Sequence, residues 1–342
     1  MLPTPSSVDQ LEEMLSQPSQ AAIEALAAVE GDLLILGVGG KMGPTLARMA
    51  VRATQQAGIP RRIVAASRFS DGSLPARLQA WGVETVVCDL LDEDSVAALP
   101  DAANVIFMTG MKFGASRNPA LTWAMNCYAP ALVCRRYRHS RIVAFSSGNV
   151  YPLVALDSGG SQETDEPGPI GEYAITVLGR ERTFQYFSDR DQIPAALLRL
   201  NYATEMRYGV LVDIAQDVWA EREVDLSTPM FNVIWQGDAN AMSLAALAHV
   251  ASPPRIVNLA GPEFLRVRDV AEQFGRLLNK PVRYTGREGS TAYLNNGSRG
   301  HRLLGDVSVD AETLIRWTAA WVQRGGESLG RPTHFQVRSG KF

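Results

Sequence analysis

The 342-residue chain lacks the features that would place it in several large classes. It has only three cysteines, Cys88, Cys127 and Cys134, which cannot all pair with one another. The four histidines, His139, His249, His301 and His334, stand in no ligand-like spacing with them. A disulfide scaffold is excluded, and no metal is expected. No apolar run approaches the ~20 residues that a membrane helix needs. Charge of one sign is also scarce: Lys and Arg number 33 against 36 Asp and Glu, a net −3. That balance offers no field to attract nucleic acid or an anionic membrane. The opening residues carry Asp9, Glu12 and Glu13 without a long apolar stretch, unlike a secretory leader, so a reducing, cytoplasmic setting is expected.

What is present is alternation. Residues 1 to 30 read as two short helices split at Pro18. From residue 31, short continuous apolar runs (DLLILG, RRIVAAS, VETVVCD, ANVIFMTG, RIVAFSS) alternate with segments of helical period. Buried strands alternating with helices predict an α/β fold, a doubly wound parallel sheet covered on both faces. After residue 200 the alternation loosens. PRIVNLAG predicts a late strand, VRDVAEQFGRLLN a helix, and VDAETLIRWTAAWVQRGG a closing helix.

The first strand runs into GVGGKMG, with Gly37, Gly40 and Gly43 at G-x-x-G-x-x-G spacing. Such a turn needs positive φ, close approach of backbone to a pyrophosphate, and tight packing of helix on strand. The N-terminus of the following helix then faces the phosphates. The strand before and the helix after supply the context that makes the triplet a dinucleotide signal. Where the second strand ends, a carboxylate usually meets a free ribose 2'-hydroxyl. Ser67 and Arg68 stand there instead, and Lys41 adds positive charge in the glycine turn. A hydroxyl and a guanidinium suit a 2'-phosphate, so the expected cofactor is NADP or NAD, with NADP favoured.

From these residues the chain resembles an extended short-chain dehydrogenase/reductase of the NAD-dependent epimerase/dehydratase kind, over roughly residues 31 to 322. CDLLD resembles the stretch beside the adenine, with Asp89 and Leu90 at its contact positions. FMTGMKFGAS, carrying Thr109, Gly110 and Lys112, resembles the loop under the nicotinamide ribose, and AMNCYAPALV places Asn126 where the family keeps an asparagine. FSSGNVY matches S-S-x-x-V-Y and puts Ser147 at the catalytic serine position, next to Ser146. The resemblance also implies that Met42 and Gly43 contact the cofactor. It implies a Rossmann sheet with a smaller C-terminal α/β lobe over the cofactor. Residues 31–200 would form the dinucleotide-binding domain, with 232–259 returning to it. Residues 201–231 and 260–342 would form the substrate lobe, and 1–30 a helical extension.

In this family a tyrosine exchanges a proton with a substrate hydroxyl while hydride moves to or from nicotinamide. A serine binds the same oxygen. A lysine four residues after the tyrosine holds the ribose and favours the phenolate, since a nearby cation stabilises the charged form. GEYAITVLGRE puts Tyr173 at the tyrosine position and Val177 at the lysine position. Lys112 is the candidate replacement. Arg180, two helical turns after Tyr173, shares its face and is expected to sit too far away.

Many family members that use nucleotide sugars carry a V-Y-G-P-like turn and a diphosphate-clamping arginine. Here Asn201 leads into YATEMR, and Phe231 aligns with that arginine. The expected substrate is therefore a smaller carbohydrate-like compound, with Asn149, Asn201, Arg207, Asn232 and Trp235 as pocket candidates. The expected activity is that of a nicotinamide-dependent oxidoreductase or epimerase. Two alternatives stay open: a nucleotide-binding protein without redox turnover, and a lyase or isomerase with tightly held cofactor. A homodimer is expected through the helices around 119 to 137 and 172 to 188, which carry Leu121, Trp123, Met125 and Leu132, and Ile175, Leu178, Phe184 and Phe187.

Overall fold

The structure, a computed structural model, describes residues 3–112 and 114–341. Its centre is a sheet of seven strands: Leu33–Leu36 (β1), Ile63–Ser67 (β2), Glu84–Val87 (β3), Asn104–Phe107 (β4), Arg141–Ser147 (β5), Ala195–Leu200 (β6) and Arg255–Leu259 (β7). All pairings are parallel, in the order β7-β6-β5-β4-β1-β2-β3. The unbroken apolar run of β1 follows from burial on both faces. Leu33 and Ile35 point into one core, and Leu34 and Leu36 into the other. The strand order reverses between β1 and β4, and ligands of such sheets bind at the carboxyl ends beside that reversal.

A second apolar core lies beyond the sheet. It is built from the helices Val210–Trp219, Val267–Leu278 and Ala311–Gln323. The N-terminal extension serves both cores. Its first helix, Val8–Leu15, sends Leu11 and Leu15 into the second core, and its second, Gln20–Ala28, sends Ala22, Ala25 and Leu26 into the first. After the closing helix the chain runs on without regular structure. It is tied down by Leu329 donating to the Arg207 carbonyl (3.1 Å), by Phe335 against Phe231 (6.1 Å between rings), and by Arg338 at Thr291.

Candidate active site

Two cavities meet over the carboxyl ends of β1 and β4. One, about 240 Å³, is lined by Gly37, Gly39, Gly40, Ser67, Arg68, Asp89, Leu90 and Thr109 among others. The other, about 290 Å³, continues past Gly37, Gly40 and Gly110 to Ser147, Tyr173 and the second lobe. A dinucleotide spans such a pair, and the glycine turn fits one. Gly37 has φ +86, and a Cβ there would lie 2.3 Å from Thr109 Oγ1. A Cβ on Gly43 would lie 2.2 Å from the Val38 carbonyl, so helix Gly43–Gln56 needs this glycine to sit against the turn. Thr109 Oγ1 is buried beside the cradle without a protein partner, as a cofactor ligand would be. Arg68 is mostly exposed, its guanidinium 4.0 Å from Asp89.

Ser147 and Tyr173 face the larger cavity from different elements. Ser147 ends β5, where its hydroxyl donates to Asn149 Oδ1 (3.0 Å) and accepts from the Asn149 amide (3.2 Å). Tyr173 stands in the first turn of helix Gly171–Asp191. Asn149 lines the same wall. Ser146 turns inward to Glu181, which also holds Arg199 through two bonds of 2.9 and 2.8 Å. That buried pair fixes the helix to the sheet beneath the site.

Val177 is fully buried with Val150 and Tyr151, and Tyr173 packs against that cluster. The space where a lysine would start is apolar. Three cations line the cavity instead. Lys112 Nζ lies 5.8 Å from the centre of the Tyr173 ring and 3.4 Å from the Thr333 carbonyl. Lys41 Nζ lies 2.9 Å from the centre of the Tyr208 ring. Burial, then repulsion from Lys112 and Arg331, pulls Lys41 down to about 7. Burial pulls Lys112 down to about 8, with Asp213 opposing. Arg180, expected to sit too far away, reaches the cavity wall because its long side chain folds back under the loop after β4. Its guanidinium donates to the Phe145 carbonyl (2.8 Å) and to Asn126 Oδ1 (2.5 Å).

Several expected contacts belong to the scaffold. Asn126, in a π-helical turn at Ala124–Tyr128, is fully buried and spends its amide on protein. It accepts from the Met111 amide (3.1 Å) and donates to Thr176 (2.8 Å), so it shapes the cofactor loop rather than touching the cavity. Arg207 is buried between Glu205 (3.1 Å) and Glu12 (3.3 Å), a pairing with the N-terminal extension that leaves it off the cavity wall. Asn201 donates to Asn232 Oδ1 (2.8 Å), and Asn232 donates to the Gly261 and Asn295 carbonyls (2.8 and 2.9 Å). Trp235 packs edge-on against Trp317 in the second core. Of the five substrate candidates, only Asn149 lines the cavity.

Tyr202, Tyr208, Gln236 and Thr333 also line the cavity, and no motif marked them in advance. Tyr202 has φ 43, a left-handed conformation that bulky residues avoid unless the surroundings impose it. Thr333 comes from the irregular C-terminal segment, held by two bonds to Asp213 (2.8 and 2.5 Å).

The model of the NAD dependent epimerase/dehydratase family matches residues 33–203. The chain belongs to that family. This family member is also similar in fold to solved enzymes. A UDP-glucuronic acid 4-epimerase from Bacillus cereus, in complex with NAD and a fluorinated UDP-sugar, superposes with a TM-score of 0.72 at 15% identity, covering 86% of this chain and 99% of that one. UDP-glucose 4-epimerase from Thermotoga maritima gives 0.70 at 15% identity, over 86% and 99%. dTDP-glucose 4,6-dehydratase from Bacillus anthracis, in complex with NAD, gives 0.70 at 13%, over 86% and 97%. No curated protein matches the chain. Family membership makes it a nicotinamide-dependent enzyme of the epimerase/dehydratase type. No group of three or more His, Cys, Asp or Glu able to hold a metal occurs among the described residues. No helix among them is long and apolar enough to cross a membrane.

Proposed function

We propose that the protein is an oxidoreductase or epimerase that works at a hydroxyl or carbonyl carbon of a small, carbohydrate-like compound. The observation that carries this reading is one cavity lined by the glycine turn, Ser147 and Tyr173 together. Bound nicotinamide supplies the hydride acceptor or donor. Gly37, Gly40 and Gly43 accommodate the pyrophosphate, and Asp89 and Leu90 flank the adenosine end. Ser147 holds the substrate oxygen by hydrogen bond, with Asn149 fixing its hydroxyl. Tyr173 gives or takes that oxygen's proton, with Lys112 beside it as the nearby cation.

The small substrate is supported by what stands where a diphosphate clamp would be needed. Phe231 is fully buried against Phe335, and Arg207 is held by two carboxylates. NADP is supported by Ser67 and Arg68 at the end of β2, and a homodimer by an exposed apolar face. On that face Leu121, Trp123, Tyr128, Ile175 and Tyr186 are each between 39% and 58% exposed. Leu132, Phe184 and Phe187, expected there too, face the sheet instead.

The buried Val177 favours a second reading, a dinucleotide-binding protein without turnover. Screening aldoses, sugar acids and glycosides with NADP and NAD for a change in the near-ultraviolet band of reduced nicotinamide tests both. Turnover that Tyr173→Phe abolishes supports the enzyme. Tight cofactor binding without reduction by any compound supports the binding protein.

A further inference from the structure

The charge of the larger cavity is one-sided. Lys41, Lys112 and Arg180 line it, and no aspartate or glutamate does among the described residues. Each cation comes from a different element: the glycine turn, the loop after β4, and the helix that carries Tyr173. Arg331, on the C-terminal segment, adds to the positive field at Lys41. The nearest opposing charges lie behind the wall and are engaged there. Asp213 accepts twice from Thr333, and Glu205 is held by Arg207.

Part of this field serves the cofactor's pyrophosphate, through Lys41 at the turn. Lys112, from the loop after β4, lies beside Tyr173 and the Thr333 carbonyl, where a reacting molecule would sit. Cations gathered on the wall of a cavity favour an anionic ligand there over a neutral one. Burial holds both lysines below the ordinary value, and at Lys41 repulsion from Lys112 and Arg331 adds to it.

We propose that the substrate is an anion, a carbohydrate-like compound whose carboxylate or phosphate is held by Lys112, with Lys41 in support. This rests on the reading of the cavity as the site of a nicotinamide-dependent reaction. It commits the small polyhydroxylated substrate to one charge class and makes Lys112 a specificity-determining residue as well as the neighbour of Tyr173. The same groups set a pH dependence. An anion binds the ammonium forms, so affinity is highest below about 7 and falls as pH rises through about 8, where Lys41 and then Lys112 lose their protons. Asp213, Glu205, Arg331, Tyr173 and Tyr208 face these lysines, and the decline is attributed to Lys112 only where Lys112→Met removes it.

The test uses the full chain saturated with NADP or NAD. Calorimetry or thermal shift compares matched sets of aldoses, their uronates and their 6-phosphates, at pH 6.5 and 9. The expected result is binding by anionic members and none by their neutral counterparts. Lys112→Met should weaken that binding about ten- to a hundredfold, the effect of one charge-assisted contact. Uronates binding without phosphates, or the reverse, identifies which anion is read. Lys280→Met, on the surface away from the cavity, should change nothing. Neutral sugars binding as well as acidic ones would overturn the proposal. So would an anion preference that survives Lys112→Met, or a whole panel without an anion-selective response. Binding of NADP and of NAD is measured first, and the one that binds is used: if neither binds, the enzyme reading falls, and if one binds without anion preference, only this inference falls.

Discussion

Gly110 and Arg180 offer the sharpest check on the cavity, because it needs no substrate. A Cβ added to Gly110 would lie 2.3 Å from Arg180 Nη2 and 3.2 Å from its Cζ. Gly110 has no positive φ, so its backbone suits alanine and the obstacle is the guanidinium alone. That group cannot simply swing aside: it is buried and held by the Phe145 carbonyl and Asn126. Gly110→Ala must therefore break at least one charge-assisted bond or move the loop, at about 1–3 kcal/mol. Arg180→Met alone removes both bonds and should cost about 3 kcal/mol. In the Arg180→Met background the added methyl meets no fixed group. There it should be neutral, or stabilise by up to about 1 kcal/mol by restricting the unfolded chain. Urea unfolding of the four proteins in the cycle should thus give a coupling of about 1–4 kcal/mol. Equal cost of Gly110→Ala in both backgrounds would refute the packing, and with it the place of Arg180 in the wall.

Arg68→Ala should weaken NADP about ten- to a hundredfold and leave NAD nearly unchanged, by one charge-assisted phosphate pair; equal wild-type affinities by calorimetry would argue against an NADP enzyme. Once a substrate is found, Tyr173→Phe should lower turnover about 10²–10⁴-fold, the usual contribution of a positioned acid or base, and full activity would move the chemistry elsewhere in the cleft. Val177→Lys should lower the urea midpoint by the equivalent of about 2–4 kcal/mol, since it places an ammonium among Val150 and Tyr151; unchanged stability would mean that the lysine found the cavity. Trp123→Glu with Ile175→Glu should convert a dimer to monomer by light scattering, and a monomeric wild type would reject the interface.

The sheet was legible because its inner strands are buried on both faces and so read as apolar runs, as β1 does between β2 and β4. That the glycine turn, Ser147 and Tyr173 meet at one cavity was legible because each stands in a motif of few residue types at fixed spacing. The substrate side was not. Arg207, Asn201, Asn232 and Trp235 have the chemistry of ligand-binding groups, yet the fold uses them to join its own parts. Nothing local distinguishes an arginine that meets a phosphate from one that meets Glu12, nearly two hundred positions away in the chain. Arg180 was misjudged for a related reason: spacing along a helix fixes where a Cα lies, while a long side chain ends several ångströms away. Thr333 lies in a segment without periodicity, so its contribution to the cavity wall left no pattern to read.

The pairing of Glu12 bears on how long a bound dinucleotide stays. Its carboxylate meets Arg77 (3.4 Å), on the helix after β2, and Arg207 (3.3 Å), at the entry to the second lobe. The helix that carries it is buried in the second core, while the next helix is buried in the first. Any hinge motion that parts the two lobes must strain this clasp, and each 1.4 kcal/mol or so added to that barrier slows release about tenfold. A slow exchange would keep the same nicotinamide in place through successive turnovers.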